Sequence, residues 1–415
     1  MKSNCVKNLV FSLVALASVA QAATEADLRK ALATKTGRVV LPEGTFEISR
    51  EIVLPTDAHD LDIVGPGVTL KAAATFRGRA LLVIPQGSNI RIFGLALDGN
   101  RESVGRLTGP PPAGTLFSRF VANNGILAEG VKGLEISTIQ ATYIAGFTIL
   151  VKGGSKVNIH EVEITESGGL DGRRRNNGSG GILLEESVTD FEISRCLFGK
   201  VRGNGIWLTS DAGSPPVSHG RIYENEFSIL AGSAVVMRNA DAIEVEENTA
   251  KMLGFPSEEV DTVDSLLPAG IAARGRVSHL GVRDNHFQQI SGRCMAFNGL
   301  TDSEIATNDC KDVLFNAVVL TGSRNTVNVN HFLDVNKSNK SDPESLHAGV
   351  YLGASARDNT IEGNEISGPG ISQHCVVGPG AAANRAARNE CSDLATVARH
   401  FSPPRLSPPR FGKSH

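Results

Sequence analysis

Glu185, Trp207, Arg238 and Arg274 carry the chemistry this sequence offers most plainly, because each falls in a short apolar strand that recurs along the chain. The strands read GGILLEES, NGIWLTSD, SAVVMRNA and AGIAARGR, with NGILAEG, NAVVLTGS and AGVYLGAS of the same kind. Successive side chains of a strand point to opposite faces. One outer face should therefore carry Leu127 and Glu129, Leu183 and Glu185, Trp207 and Thr209, Val236 and Arg238, Ala272 and Arg274, Ala296 and Asn298, and Tyr351. Arginines there can meet carboxylates or sulfates, and an indole can stack on the apolar face of a sugar. Carboxylates at a set separation can instead hydrolyse a glycosidic bond, for which Glu185, Asp171, Asp211 and Glu129 are the candidates.

The loop SGGLDGRRRNNGSGG, residues 167–181, adds Asp171, Arg173, Arg174 and Arg175 between two glycine clusters. It is expected to stand directly above Glu185 as a cationic wall. Plainer readings exist for each residue: solvated strand charges for Glu185 and Arg238, packing beneath a loop for Trp207, a solvated loop for the arginines. Their convergence on one face is what favours binding.

The elements that must hold these residues follow from a repeat. Strands of the form apolar, two variable residues, asparagine, one variable residue, apolar place Asn225, Asn248, Asn285, Asn308, Asn330, Asn364 and Asn389 at steps of 23, 37, 23, 22, 34 and 25. Cys196, Val162 and Ile139 continue the same phase toward the N-terminus. One rung is 22 or 23 residues, sometimes interrupted, which suits three short strands per coil and not a horseshoe repeat or a propeller blade. The asparagines are expected at tight corners with positive φ, each bonding onward to the next coil. Residues 98–124, 166–180, 251–269 and 334–348 interrupt the repeat at one corner, and 209–218 at the other edge of the same face. Loops at stacked corners make a walled groove, where binding is expected.

This pattern resembles the single-stranded right-handed parallel β-helix of the pectate-lyase-like superfamily, an all-β fold, over about residues 38–393. The resemblance implies a protein that cuts, epimerises or binds polysaccharides. A lyase or epimerase needs a cation beside the uronate carboxylate and a base for the adjacent proton; Arg238, Arg274 and Arg173 to Arg175 supply the first, and an arginine, a histidine or Tyr351 the second. The motif set NTD, DD, HG and RIK of pectin hydrolases is not present, His219-Gly220 being a lone match. The DPHD of alginate epimerases is matched only by DAHD, Asp57 to Asp60, in the first coil. The site is thus expected to combine Glu185, Arg238, Arg274 and Asp171 as catalytic groups with Trp207, Arg173, Arg174, Arg175, Asn298 and Tyr351 against an anionic polysaccharide. The alternative is a non-catalytic carbohydrate-binding or cell-surface protein. No metal-spaced histidine cluster is visible, while calcium on scattered carboxylates stays open as a cofactor.

The termini have their own signals. Residues 1–22 show Lys2 and Lys7, an apolar run and Ala20-Gln21-Ala22, the pattern of a secretory signal cleaved after Ala22; the run is short for a membrane anchor. A secreted, periplasmic or extracellular, location follows. Residues 23–37 read as a helix closing the first coil, with Thr24 and Asp27 as a capping box and Leu28, Ala31 and Leu32 as its apolar stripe. The repeat then fills 38–395, and the tandem SPPR of 396–415 reads as an extended tail. In an oxidising compartment Cys294 with Cys310 and Cys375 with Cys391, each 16 apart in one phase, are disulfide candidates; small buried hydrophobes are the other reading. Cys196 is expected to stay reduced. A net charge of -3 offers no basic excess for nucleic acid, and no later segment is apolar enough to span a bilayer.

Overall fold

The computed structural model describes residues 23–260, 267–338 and 344–393. The expected signal and the expected tail lie outside the described residues. Within them every main ladder is parallel and each strand pairs with the equivalent strand one coil away. The inner stack shows why. Ile126, Ile149, Ile182, Ile206, Val235, Ile271, Met295, Val318 and Val350 are consecutive register partners, and all are buried. An inward β-branched or unbranched apolar side chain meets its like above and below, so each coil buries its face only by stacking on the next. Phe198 and Phe227 stack in the same way, with centroids 4.7 Å apart.

Helix α1, Glu25–Leu32, closes the first coil. Thr24 Oγ1 accepts from the Asp27 amide while Asp27 accepts from the Thr24 amide, and Leu28 and Leu32 turn inward, fully buried. The helix thus covers the open end of the apolar stack.

The asparagine ladder runs unbroken from Asn225 to Asn389. Asn308 shows the pattern: its amide and Nδ2 both donate to Asn330 Oδ1, at 3.0 and 2.9 Å, and its own Oδ1 accepts the same pair from Asn285. The expectation of positive φ at these asparagines is not met. The left-handed residue is the one before each: Glu224, Glu247, Asp284, Thr307, Val329, Gly363 and Arg388. The corner is turned one residue early, which leaves the asparagine side chain pointing inward along the stack. A second, shorter ladder joins Asn325, Asn359 and Asn384 at another corner.

The interruptions fall where the repeat places them. The strands Gly87–Asp98, Glu163–Thr165, Thr249–Leu253 and His331–Leu333 each end at an insertion that returns to the face beginning Asn124–Glu129, Ile182–Glu185, Ala269–Arg283 and Val350–Leu352. The coil Ile149–Lys152 also belongs to that face, between the strands of Leu127 and Leu183, which are therefore not neighbours. Cys294 is joined to Cys310 and Cys375 to Cys391. Cys196 is free and buried, its thiol pushed up to about 12 by desolvation.

Candidate binding groove

Two side-chain rows run along the outer face. In one, Lys152, Glu185, Thr209, Arg238, Arg274 and Asn298 are successive register partners; in the other, Leu150, Leu183, Trp207, Val236, Ala272, Ala296, Val319 and Tyr351. The alternation thus brings the expected floor residues into line. What lies above them differs from the expectation.

Glu185 is 1% exposed. One carboxylate oxygen accepts from the Phe117 amide and the other from the Ser118 amide, at 3.0 Å for Ser118. Burial raises its pKa above the ordinary carboxylate value, against the lowering effect of these bonds. Both oxygens are engaged, so Glu185 acts as an anchor that ties the first insertion to the sheet. That insertion, with Pro110, Pro111 and Pro112 followed by the short helix Phe117–Phe120, is the wall above Glu185. The triple proline is visible in the sequence, but nothing in it says over which coil the segment folds.

The arginine loop stands elsewhere. Asp171 Oδ1 accepts from the amides of Arg173 and Arg175, and Oδ2 from Arg173 Nε at 3.1 Å; burial opposes ionisation, yet these bonds and the arginine charge hold the carboxyl below its usual range. Arg175 donates to the Glu258 and Val260 carbonyls, which couples this loop to the next insertion. Arg174 is exposed with φ 61°. The run is a strut between insertions, and neither it nor Asp171 lines the cleft above Glu185.

That cleft is lined by residues 110–117 on one side and by Glu185, Glu186, Trp207, Thr209, Ser210, Asp211 and Arg238 on the other. Trp207 is half-buried. Its ring meets Phe117 edge-on at 4.7 Å and Phe147 at 6.3 Å, and Gly178 closes on it so tightly that an added Cβ would lie 2.6 Å from Cζ3. The indole is held in place and only part of it faces the cleft. Its Nε1 is buried without a hydrogen-bond partner among the described residues.

Arg238 is exposed, and Arg274, half-buried beside it, has its pKa lowered by desolvation and then by the charge of Arg293. Neither side chain forms a hydrogen bond or ion pair with another described residue. Asn298 is exposed and its Oδ1 accepts from Thr321 Oγ1 at 2.9 Å. Tyr351 lies three coils beyond Arg274, roughly 14 Å along the stack. Of the other carboxylates, Glu129 is paired with Arg79 at 2.7 Å, while Asp211, at the cleft, has no side-chain partner among the described residues. Asp57 and Asp60 are engaged far from this face, with Lys35 and with Asn89. No group of three or more described histidines, cysteines or acids is arranged to hold a metal.

A family model described as "Right handed beta helix region" matches residues 117–254, the stretch that contains Phe117, Glu185, Trp207 and Arg238. The chain is a right-handed parallel β-helix. Solved β-helix structures resemble it over most of its length. The A-module of the Azotobacter vinelandii mannuronan C-5 epimerase AlgE4 is 14% identical with a TM-score of 0.54, covering 89% of this chain and 91% of that one. The Streptococcus pneumoniae surface protein and adhesin PfbA is 13% identical with a TM-score of 0.51, covering 89% and 94%. The catalytic unit of a GH87 α-1,3-glucanase from Streptomyces thermodiastaticus strain HF3-3 is 11% identical with a TM-score of 0.61, covering 89% and 66%. At such identities the β-helix is what is shared. No curated protein sequence matches the chain.

Proposed function

We propose that this β-helix is a secreted protein that binds an extended acidic polysaccharide along the face floored by Thr209, Arg238, Arg274 and Asn298. The observation that carries the reading is the pair Arg238 and Arg274, partners on neighbouring coils, with no anion beside them among the described residues. Two guanidinium groups about one strand spacing apart suit anions repeated along a polymer. Fixed cationic groups in a groove bind carboxylates or sulfates through charge-assisted hydrogen bonds, and the exposed Asn298 amide adds a donor for a sugar hydroxyl. The solved neighbours include an epimerase and an adhesin, so the fold serves both chemistry and attachment.

Binding is favoured over hydrolysis because hydrolysis requires two facing carboxylates and, of the four candidates, Asp211 alone has no side-chain partner among the described residues: Glu185 holds two amides, Asp171 its own loop and Glu129 an arginine. The test is incubation with alginate, pectate and glycosaminoglycans. Retention without new ultraviolet absorbance or reducing ends is the expected result. Unsaturated ends would make the protein a lyase, and reducing ends alone a hydrolase.

A further inference from the structure

We propose, resting on the reading above, that the groove takes the end of a saccharide chain and not its interior. The floor is sealed on one side of Trp207; on the other, Val236 and Ala272 are buried with Ala269 while the parallel row Arg238, Arg274 and Asn298 reaches the surface. Val83, Leu127, Leu150 and Leu183 are fully buried in an apolar cluster with Phe117, Val121 and Phe147. Past the middle of the row, Ala296, Val319, Tyr351 and Val377 are all partly exposed. Phe117 and Val121 belong to the first insertion, so the segment that Glu185 anchors lies across the floor and ends the groove at Trp207.

A polymer lying on Arg238 and Arg274 can continue over the exposed Asn298, two strand spacings or roughly 10 Å from Arg238, and meets a wall in the other direction. The side chains at the closed end suit a terminus. Asp211 presents a half-buried carboxylate with no side-chain partner among the described residues, and Thr209 and Ser210 stand beside it. A terminal sugar keeps a hydroxyl that an interior sugar uses in its linkage. A carboxylate accepts from that hydroxyl and has nothing to accept from the linkage oxygen.

The experiment measures binding stoichiometry by titration calorimetry with alginate and pectate, each as polymer and as short oligosaccharides cut from it. The proposal predicts a fixed number of proteins per chain whatever its length, with oligosaccharides competing as well as polymer at equal molar concentration of chains. Deletion of residues 113–115, at the tip of the wall, should let the number per chain rise with length, and Asp211→Asn should weaken oligosaccharide binding about tenfold. A number that rises with chain length in the wild-type protein overturns chain-end binding and leaves the polysaccharide reading standing. Absence of binding to either polymer, in either form, overturns both.

Discussion

Arg238 and Arg274 are register partners on adjacent coils, two like charges side by side on one sheet face with no described side chain to neutralise them. Like charges directly opposite across a ladder are destabilising, and the lowered pKa of Arg274, from burial and then from Arg293, has the same sign. Arg274→Gln should therefore leave the melting temperature unchanged or raise it, while weakening polysaccharide retention. A fall of about 2 °C or more, on the order of 1 kcal/mol for a large domain, would make Arg274 a structural residue.

Glu185→Gln should loosen the wall without unfolding the coil. A carboxylate accepts from both the Phe117 and Ser118 amides, whereas glutamine has one acceptor and would aim an NH2 group at the other. Faster amide exchange at Phe117 and Ser118, with a red shift of Trp207 fluorescence, is expected. The raised pKa adds a pH signature. Between the ordinary value of 4.5 and the higher folded value the native state binds more protons than the unfolded one, so this group's contribution to stability falls as pH rises through that window. Titration of Trp207 fluorescence should show a midpoint above 4.5 that Glu185→Gln removes.

Asn308→Val tests the ladder. The side chain donates to the Val282 and Ala306 carbonyls and to Asn330, and accepts from Asn285 twice. Valine leaves buried groups unpaired, and about 3 kcal/mol of stability should be lost, at 1–3 kcal/mol for each unsatisfied group. The loss comes from hydrogen bonds and not from the backbone, since φ is positive at Thr307 and not at Asn308. A wild-type midpoint in denaturant would count against the ladder.

His286 and His331 both place Nδ1 3.0 Å from Asp309, on the outer face of the strands His286–Ile290, Asp309–Val313 and His331–Leu333. The hydrogen bond that His286 donates to the Asp309 carboxylate raises the His286 pKa above 6.5, burial opposing. Its stabilising contribution is fully present below 6.5 and is lost as pH rises through the folded value. Thermal melts across that range should show a decline that His286→Gln flattens. An identical decline in the variant would remove His286 as its source.

The asparagine corners and the phase of the floor were legible in the sequence because both repeat: seven asparagines in one frame, and a two-residue alternation that brings Glu185, Arg238 and Arg274 into one row. The coil of Ile149–Lys152 was harder to find because Phe147 and Thr148 precede it where most other floor strands have a glycine or asparagine. The residues that turn the corner, among them Glu224, Thr307 and Val329, share no side-chain type, so the ladder asparagine was the visible marker of a strain carried one residue earlier. The insertions were the least legible. Pro110 to Pro112 and Arg173 to Arg175 have no periodicity to say which coil they cover, and only the contacts of Glu185 and Arg175 decide it.

Salt-dependent retention on immobilised alginate, pectate and heparin, for the wild-type protein and for Arg238→Ala, Arg274→Ala and the double variant, tests the central claim most directly. The account predicts that wild-type protein is retained on at least one acidic polymer and not on neutral dextran. Retention should weaken as salt screens the contacts, fall about tenfold in each single variant, and vanish in the double variant with folding intact. Equal retention on dextran, or a double variant held as tightly as wild type, would contradict it.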